Sequence, residues 1–573
     1  METMDSNQIR QSFLSFFEKK GHKVIPSSSL IPDDPSVLLT TAGMQQFKKY
    51  FTGELDAEKD FGANNVCSVQ KCFRTSDIDE VGDESHLTFF EMLGNFSFGG
   101  YWKKEAIEYA HEFITEELKL EIDFVSVFEG DKEAPADLES EEIWKSLGVE
   151  NIKKFGREDN FWGPTGSEGP CGPTTEIYVK TVAGKSVEIW NLVFNEYYCD
   201  KDKKLSPSKI KGVDTGMGLE RLAMIVQKRK NIFETDLFAP IISLLPGDLF
   251  DWAKRIIADH SRAAVFLIAD GIIPSNKEQG YVLRRLLRRM LVQLYSCGAN
   301  FIEPISKIID LYGGRRNFNG KHIFETIEEE ADKFKKSLSA GRKELERLDS
   351  IGAAEAFRLY ESFGLPFEAI KDLSKEKAKN LTREDFDKEF EKHREISRAG
   401  AEKKFGGHGL ILDTGELKAG NDGEKLKTIR LHTATHLLHQ ALRDVLGNEA
   451  SQRGSDITAE RARFDFVFPR KMTEGEIKKV EEIVNGKIKE ALPVNFKEMP
   501  KEEAEKIGAL KFFKGNYPDI VKIYYIGDSI ENAYSKEFCG GPHVSNTKEI
   551  GEFKIAKEES SGAGIRRIRV KVL

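Results

Sequence analysis

Apolar positions along the chain change period several times, and each change predicts a different element. Over residues 6–20, Ile9, Phe13, Phe16 and Phe17 recur at helical spacing and Gly21 supplies a stop. Residues 24–170 then alternate short β-prone runs with turn residues. In this stretch the aromatic-rich run Leu87-Thr-Phe-Phe-Glu-Met-Leu-Gly-Asn-Phe-Ser-Phe-Gly-Gly predicts the second strand of an antiparallel hairpin. The segment 186–199 reads as a buried strand, and after Gly212 a glycine-rich turn is expected to lead into a helix through Leu219, Leu222 and Ile225. From 236 to 400 the pattern is helical, with the charged stretch 325–348 as an exposed antiparallel helix. A linker over 401–425 contains Phe405-Gly-Gly-His-Gly. An α+β unit, 426–573, then opens with a helix and finishes in the strand-like Ile565-Arg-Arg-Ile-Arg-Val-Lys-Val. The expectation is an α+β multidomain protein divided at 1–235, 236–400, 401–425 and 426–573.

Composition bounds this picture. A chain of 573 residues with 39% apolar content exceeds a single core. Neither a secretory leader nor an apolar run near the roughly 20 residues of a membrane span is present, so a cytoplasmic protein is expected. Six cysteines in so long a chain make no disulfide framework, and Cys539 stands out as a candidate metal ligand. The net charge of -9 argues against a nucleic-acid partner, but the average hides two basic runs. Arg284, Arg285, Arg288 and Arg289 lie within six residues on a helical pattern, and Arg566, Arg567, Arg569 and Lys571 lie near the carboxyl end. Either run is a solvated face or a phosphate-binding surface.

His432 and His436 are four residues apart, hence on one face of a helix continuing through Leu437, Leu438 and Leu442. Alone the pair is weak, and nearby His439 illustrates an ordinary core or surface histidine. Cys539-Gly-Gly-Pro-His543 adds a thiolate and a third imidazole on a tight turn. Two close pairs of nitrogen and sulfur donors match what one tetrahedral zinc requires. Spacing leaves open whether that zinc closes a structural site or keeps a position for water.

These two pairs, about a hundred residues apart, resemble the editing domain shared by alanyl- and threonyl-type tRNA synthetases and free-standing deacylases. The run His-Thr-Ala-Thr-His-Leu-Leu-His-Gln-Ala-Leu-Arg and the downstream Gln452-Arg-Gly-Ser look alanyl-like. The resemblance implies hydrolysis of serine or glycine wrongly esterified to tRNA(Ala), with Gln452 in the editing site. The front of the chain resembles the catalytic domain of the alanyl-tRNA synthetases, a class II family with an antiparallel sheet and flanking helices, over most of residues 6–230. Val69-Gln-Lys-Cys-Phe-Arg74-Thr matches the first strand of motif 2, which implies that Arg74 meets the ATP α-phosphate. His86 and Phe90 match positions that reach phosphate and stack on adenine, with Phe89 as the alternative ring. Val213-Asp214-Thr-Gly-Met-Gly-Leu-Glu-Arg221 resembles motif 3 and implies Arg221 at the γ-phosphate and Asp214 at the alanine ammonium. Trp162, Asn191 and Val193 match residues that frame alanine, with ATP arriving as its Mg2+ complex. A methyl-sized pocket separates alanine from glycine by only about 1–3 kcal/mol and rejects serine weakly, which gives a second, hydrolytic site a chemical reason. The stretch from Gly166 to Pro173 is expected to loop over the site, with Cys171 as an unremarkable buried thiol.

The segment from Ile257 to Asn276, leading into Gly280-Tyr-Val-Leu-Arg-Arg, resembles the family's helical tRNA-recognition domain. It implies Arg284 and Arg285 on phosphates and Asn276 on the wobble G·U pair of tRNA(Ala). Glu361 stands where the family has a second, aspartate reader. The β-barrel usual before the editing helix is missing or reduced to about 406–428, and the chain ends just after the editing domain, which together imply a monomer. Two other readings are a free-standing deacylase, which leaves the first 230 residues unexplained, and a non-catalytic synthetase-like scaffold that binds RNA or a partner protein.

Overall fold

The computed structural model of the chain describes residues 3–34, 36–313, 318–392, 422–510, 519–562 and 564–573. They fall into two compact units, Met1–Phe386 and Asp387–Leu573. The expected linker over 401–425, with Phe405-Gly-Gly-His-Gly, lies almost wholly outside the described residues.

The first unit is built on a nine-stranded sheet. Its strands are β1 (Lys23–Val24), β2 (Asn65–Phe73), β3 (Phe89–Phe98), β4 (Phe124–Phe128), β5 (Ile152–Phe155), β6 (Phe161–Trp162), β7 (Gly169–Lys180), β8 (Ser186–Cys199) and β9 (Leu205–Gly218). The order is β1-β2-β3-β9-β8-β7-β4-β5, with β6 on β7. Only β1·β2 and β4·β5 pair in parallel. Period-two alternation gives the sheet two different faces. On β8, Trp190 turns to the back and meets Phe13, Phe17 and Phe113 at ring separations of 6.0, 6.2 and 5.8 Å. The first two belong to the helix Ser6–Lys19, which Asp5 and Gln8 close with a capping box; Gly21 follows at φ +84°.

Two expectations need correction. Residues 212–218 are no turn: β9 runs unbroken to Gly218, and the helix Leu219–Val226 starts at once. Glycine suits this strand because a Cβ on Gly212 would lie 2.5 Å from the Phe51 ring and one on Gly216 2.9 Å from Met92 Sδ. Likewise Gly169–Pro173 form the start of β7, paired to β8 and β6, so only Gly163–Gly166 of this region line the site as a loop.

Beyond the sheet the unit is helical, as the pattern predicts, with helices Asp251–Ala269, Glu278–Ser296, Ile302–Gly313, Gly320–Arg347, Ala353–Phe363 and Phe367–Leu373. Gly320–Arg347 buries Ile323, Ile327, Ala331, Phe334, Leu338 and Leu345 along one stripe. The arginine row on Glu278–Ser296 is largely turned inward. Arg285 bonds Glu368 and lies 3.3 Å from Asp79, while Arg289 holds Asp372 at 2.8 Å. Nη2 of Arg285 bonds both Glu368 and Asp79 and the residue is 9% exposed, so Arg285, expected on phosphate, lies in the interior of the unit. None of the described helices is long and apolar enough to cross a membrane.

In the second unit the helix Asp422–Leu446 buries Leu431, Leu437, Leu438 and Leu442 in one core with Phe464, Phe466, Ile568 and Val570. The last four belong to a sheet ordered β10 (Gln452–Ile457), β11 (Ala462–Val467), β16 (Ile565–Val572), β15 (Phe553–Gly562). A second sheet, β12 (Val494–Pro500), β13 (Ile520–Ile526) and β14 (Ser535–Phe538), packs Met499, Val521, Ile523 and Phe538. The carboxyl-terminal arginines pair locally: Arg566 with Glu558, Arg567 with Asp465, Arg569 with Glu559.

Candidate functional site

The front face of the sheet holds a cavity of about 380 Å³. Alternation along three strands decides what enters it. On β3, Phe89 is fully buried and stacks on Phe266 at 4.2 Å with planes 15° apart, which leaves Phe90 as the ring at the cavity. On β8, Asn191 and Val193 face the cavity; on β9, Asp214, Gly216 and Gly218 do, with Val193 opposite Asp214 in register. Arg74, His86, Trp162 and Arg221 complete the lining. The eight front residues expected to hold ATP or alanine, Arg74, His86, Phe90, Trp162, Asn191, Val193, Asp214 and Arg221, therefore line one cavity.

The charges there are unevenly satisfied. The Arg74 guanidinium lies 4.9 Å from the centroid of the Phe90 ring and has no carboxylate partner among the described residues. Arg221 donates to the Glu188 carboxylate at 2.7 Å. His86 is held by Asp83, 2.6 Å from its Nδ1. Asp214 is 5% exposed, its carboxyl accepts no hydrogen bond among the described residues, and burial pushes that carboxyl up to about 8. Asn191 donates to Glu176 at 3.3 Å, and its own carbonyl oxygen is buried without a partner. A buried carboxyl and a buried amide oxygen, both lacking donors, are complementary to a small ammonium group. Glu176, which sequence reasoning missed, is raised to about 7 by burial and then by Glu188. Its only sequence signal is its place in the β7 alternation.

The second unit gathers His432, His436, Cys539 and His543 so that one ligand atom of each lies within 4.8 Å of all the others. Cys539 Sγ is 3.4 Å from His432 Nε2 and 3.3 Å from His543 Nε2. The far nitrogens are occupied: His432 Nδ1 sits 3.1 Å from the Pro542 carbonyl and His543 Nδ1 3.2 Å from the Thr433 hydroxyl. This leaves Nε2 of both rings for a ligand. Burial pushes the Cys539 thiol up to about 12, and a thiolate there needs a cation beside it. The three imidazoles and one thiol thus fit a zinc ion in donor type and number. Gly541, at φ +77°, is required by the turn, since a Cβ would lie 2.5 Å from the Tyr524 hydroxyl. His439 stays out of the donor group, as expected, but is not idle. Its Nδ1 lies 2.9 Å from Glu537, whose other oxygen is 3.7 Å from His436 Nε2. Gln452 opens β10 opposite Phe466 and makes no hydrogen bond to the four donors.

Asn276 is exposed just before the helix Glu278–Ser296 and accepts a bond from Arg284, which also lies 3.3 Å from Glu330. Glu361 is exposed on the helix Ala353–Phe363.

Comparison with known proteins follows the same division. The family model described as tRNA synthetases class II (A) matches residues 8–441, and the threonyl and alanyl tRNA synthetase second additional domain matches residues 521–569. The chain is 43% identical to an alanine--tRNA ligase of Borrelia garinii subsp. bavariensis, with 99% of both chains covered. It is 44% identical to that of Treponema denticola, over 98% of each. An alanine--tRNA ligase of Rubrobacter xylanophilus is 36% identical, matching 100% of this chain and 79% of its own length. With a class II match over most of its length and curated relatives aligned end to end, the chain belongs to the alanyl-tRNA synthetase family.

Proposed function

We propose that the front cavity forms alanyl-adenylate from alanine and Mg2+-bound ATP and passes alanine to tRNA(Ala), and that the four-donor site hydrolyses seryl or glycyl esters of the same tRNA. The observation that carries this is that one cavity is lined both by a guanidinium, Arg74, and by a buried carboxyl, Asp214, neither of which has an ion-pair partner among the described residues. In this reading residues 1–235 form the aminoacylation domain, 236–400 the tRNA-recognition domain and 426–573 the editing domain, working in the cytoplasm where tRNA is charged.

Asp214 and the Asn191 carbonyl oxygen take the alanine ammonium, and Val193 and Trp162 limit the side chain. The alanine carboxylate is already ionised, so no base is needed. One of its oxygens attacks the α-phosphorus, and the bond to pyrophosphate breaks as Arg74 stabilises the charge on the α-phosphate. His86 reaches phosphate, Phe90 carries adenine, and Arg221 exchanges Glu188 for the γ-phosphate. A terminal tRNA hydroxyl then attacks the activated carbonyl and releases AMP. Asn276 and Arg284 are the residues of the helical region offered to the acceptor stem, with Glu361 as a further contact.

In the editing domain His432, His436, Cys539 and His543 would hold zinc, which when bound supplies a Lewis acid and lowers the pKa of a coordinated water. The Pro542 carbonyl and Thr433 hydroxyl orient the two rings, and Gln452 contacts the misplaced amino acid. Crossed variants test the assignment. Asp214→Ala is expected to abolish alanine-dependent ATP–pyrophosphate exchange and spare deacylation of seryl-tRNA(Ala), and Cys539→Ala to do the opposite. Exchange that fails with alanine in the unaltered protein, with deacylation intact, would support a deacylase instead.

A further inference from the structure

The residues between β2 and β3 form a loop whose inner side brings Arg74, Asp77, Ser85 and His86 to the cavity. Its outer side is bolted to the helical region. Arg289 donates from Nη1 to the Ile78 carbonyl at 2.6 Å while its Nε and Nη2 hold Asp372 at 2.8 and 3.2 Å. One turn earlier, Arg285 reaches Asp79 at 3.3 Å and bonds Glu368. Arg383 closes this ring, 3.1 Å from Glu368 and 3.7 Å from Asp79. Farther along, Arg255 donates to the Gly82 carbonyl at 3.2 Å, and the backbone and hydroxyl of Thr88 bond Asp259 at 2.9 and 2.6 Å.

Burying so many charges adds little stability, because desolvation offsets most of the attraction; what such a network fixes is geometry. On the inner side, Asp83 of the same loop directs His86, 2.6 Å from its Nδ1, but nothing comparable directs Arg74. Among the described residues Arg74 has no ion pair to set its direction and leans on the Phe90 ring. Its aim follows from where the backbone is held: at its root by the Arg74 N–H on the Thr88 carbonyl at 2.9 Å, and farther along, at Ile78 and Asp79, by Arg289 and Arg285.

We propose that Arg285 and Arg289 are positioning residues for the ATP loop: through Asp79 and the Ile78 carbonyl they aim Arg74 and His86 at the nucleotide without touching it. This rests on the reading of Arg74 as an ATP ligand. The helix that displays Asn276 and Arg284 to RNA thereby also sets the loop that grips ATP.

ATP–pyrophosphate exchange tests the assignment in the full chain, with Asp79→Ala, Arg285→Gln, Arg289→Gln and Arg289→Lys as variants and Arg74→Ala as control. Each of the first three is expected to raise KM for ATP about tenfold while KM for alanine stays within about twofold, since a displacement of the loop misplaces only its own ligands. Arg289→Lys, which still donates to the Ile78 carbonyl, recovers part of the loss. Asp79→Ala combined with Arg285→Gln should be no worse than the poorer single variant, because one contact is removed once. An unchanged KM for ATP in Asp79→Ala, or an equal rise in both KM values, overturns the proposal. Should Arg289→Gln fail to fold, Asp79→Ala decides, since Asp79 sits on the loop and is partly exposed. If Arg74→Ala retains exchange, the reading of the loop itself falls. If Arg74→Ala abolishes exchange while Asp79→Ala and Arg289→Gln keep their ATP KM, only the positioning role falls.

Discussion

Asp214 is the residue whose physics is most exposed to measurement. A carboxyl titrating near 8 is mostly protonated at pH 7, yet an ammonium partner requires it ionised. Alanine binding should therefore release a proton at pH 7, and affinity should rise with pH up to about pH 8 before levelling. Calorimetry in buffers of different ionisation enthalpy reads the proton directly, and a binding heat independent of buffer would rule out this role. The identity of Asp214 was legible because a motif surrounds it; its isolation was not. Nothing in Val213-Asp214-Thr-Gly says that the neighbouring wall offers no donor, because that depends on β7 and β8, strands distant in sequence.

At the scale of elements, periodicity was a good guide wherever an element has one apolar face, as in Ser6–Lys19, β8 and the helix Asp422–Leu446. It misled where glycine stood in for side chains: Gly212 to Gly218 look like a turn but are a strand drawn close to Phe51 and Met92. It also left the arginine row undecided, since the partners that draw Arg285 and Arg289 inward, Asp79, Glu368 and Asp372, are distant in sequence. The helix Asp422–Leu446 presents three histidines, and β14 answers with one carboxylate, Glu537, held below its usual range although burial works the other way, because His436 and His439 stand beside it. Removing that charge loosens the orientation of a ligand without removing a ligand. Glu537→Gln is expected to lower zinc affinity about 10–100-fold and to leave alanine-dependent exchange unchanged, as read by competition with a metal-binding dye. Unaltered affinity would make Glu537 a core residue and no more.

For the whole molecule, two compact units with separate cores imply separate responses to metal removal. Treatment with a strong chelator should abolish release of serine from mischarged tRNA(Ala) and lower the melting temperature of one calorimetric transition, while exchange with alanine persists. Loss of both activities together would sink the division of labour. The sequence announced two chemical centres, but not the strand order beneath the first. β9 lies between β3 and β8 in the sheet although it follows both in the chain. During synthesis, then, β3 and β8 each wait with a bare edge until roughly residue 218 has cleared the ribosome, and the last strand to arrive is the one carrying Asp214. A truncated nascent chain offers two sticky edges and no amino-acid pocket, so premature termination before β9 should yield aggregates rather than a partly active enzyme.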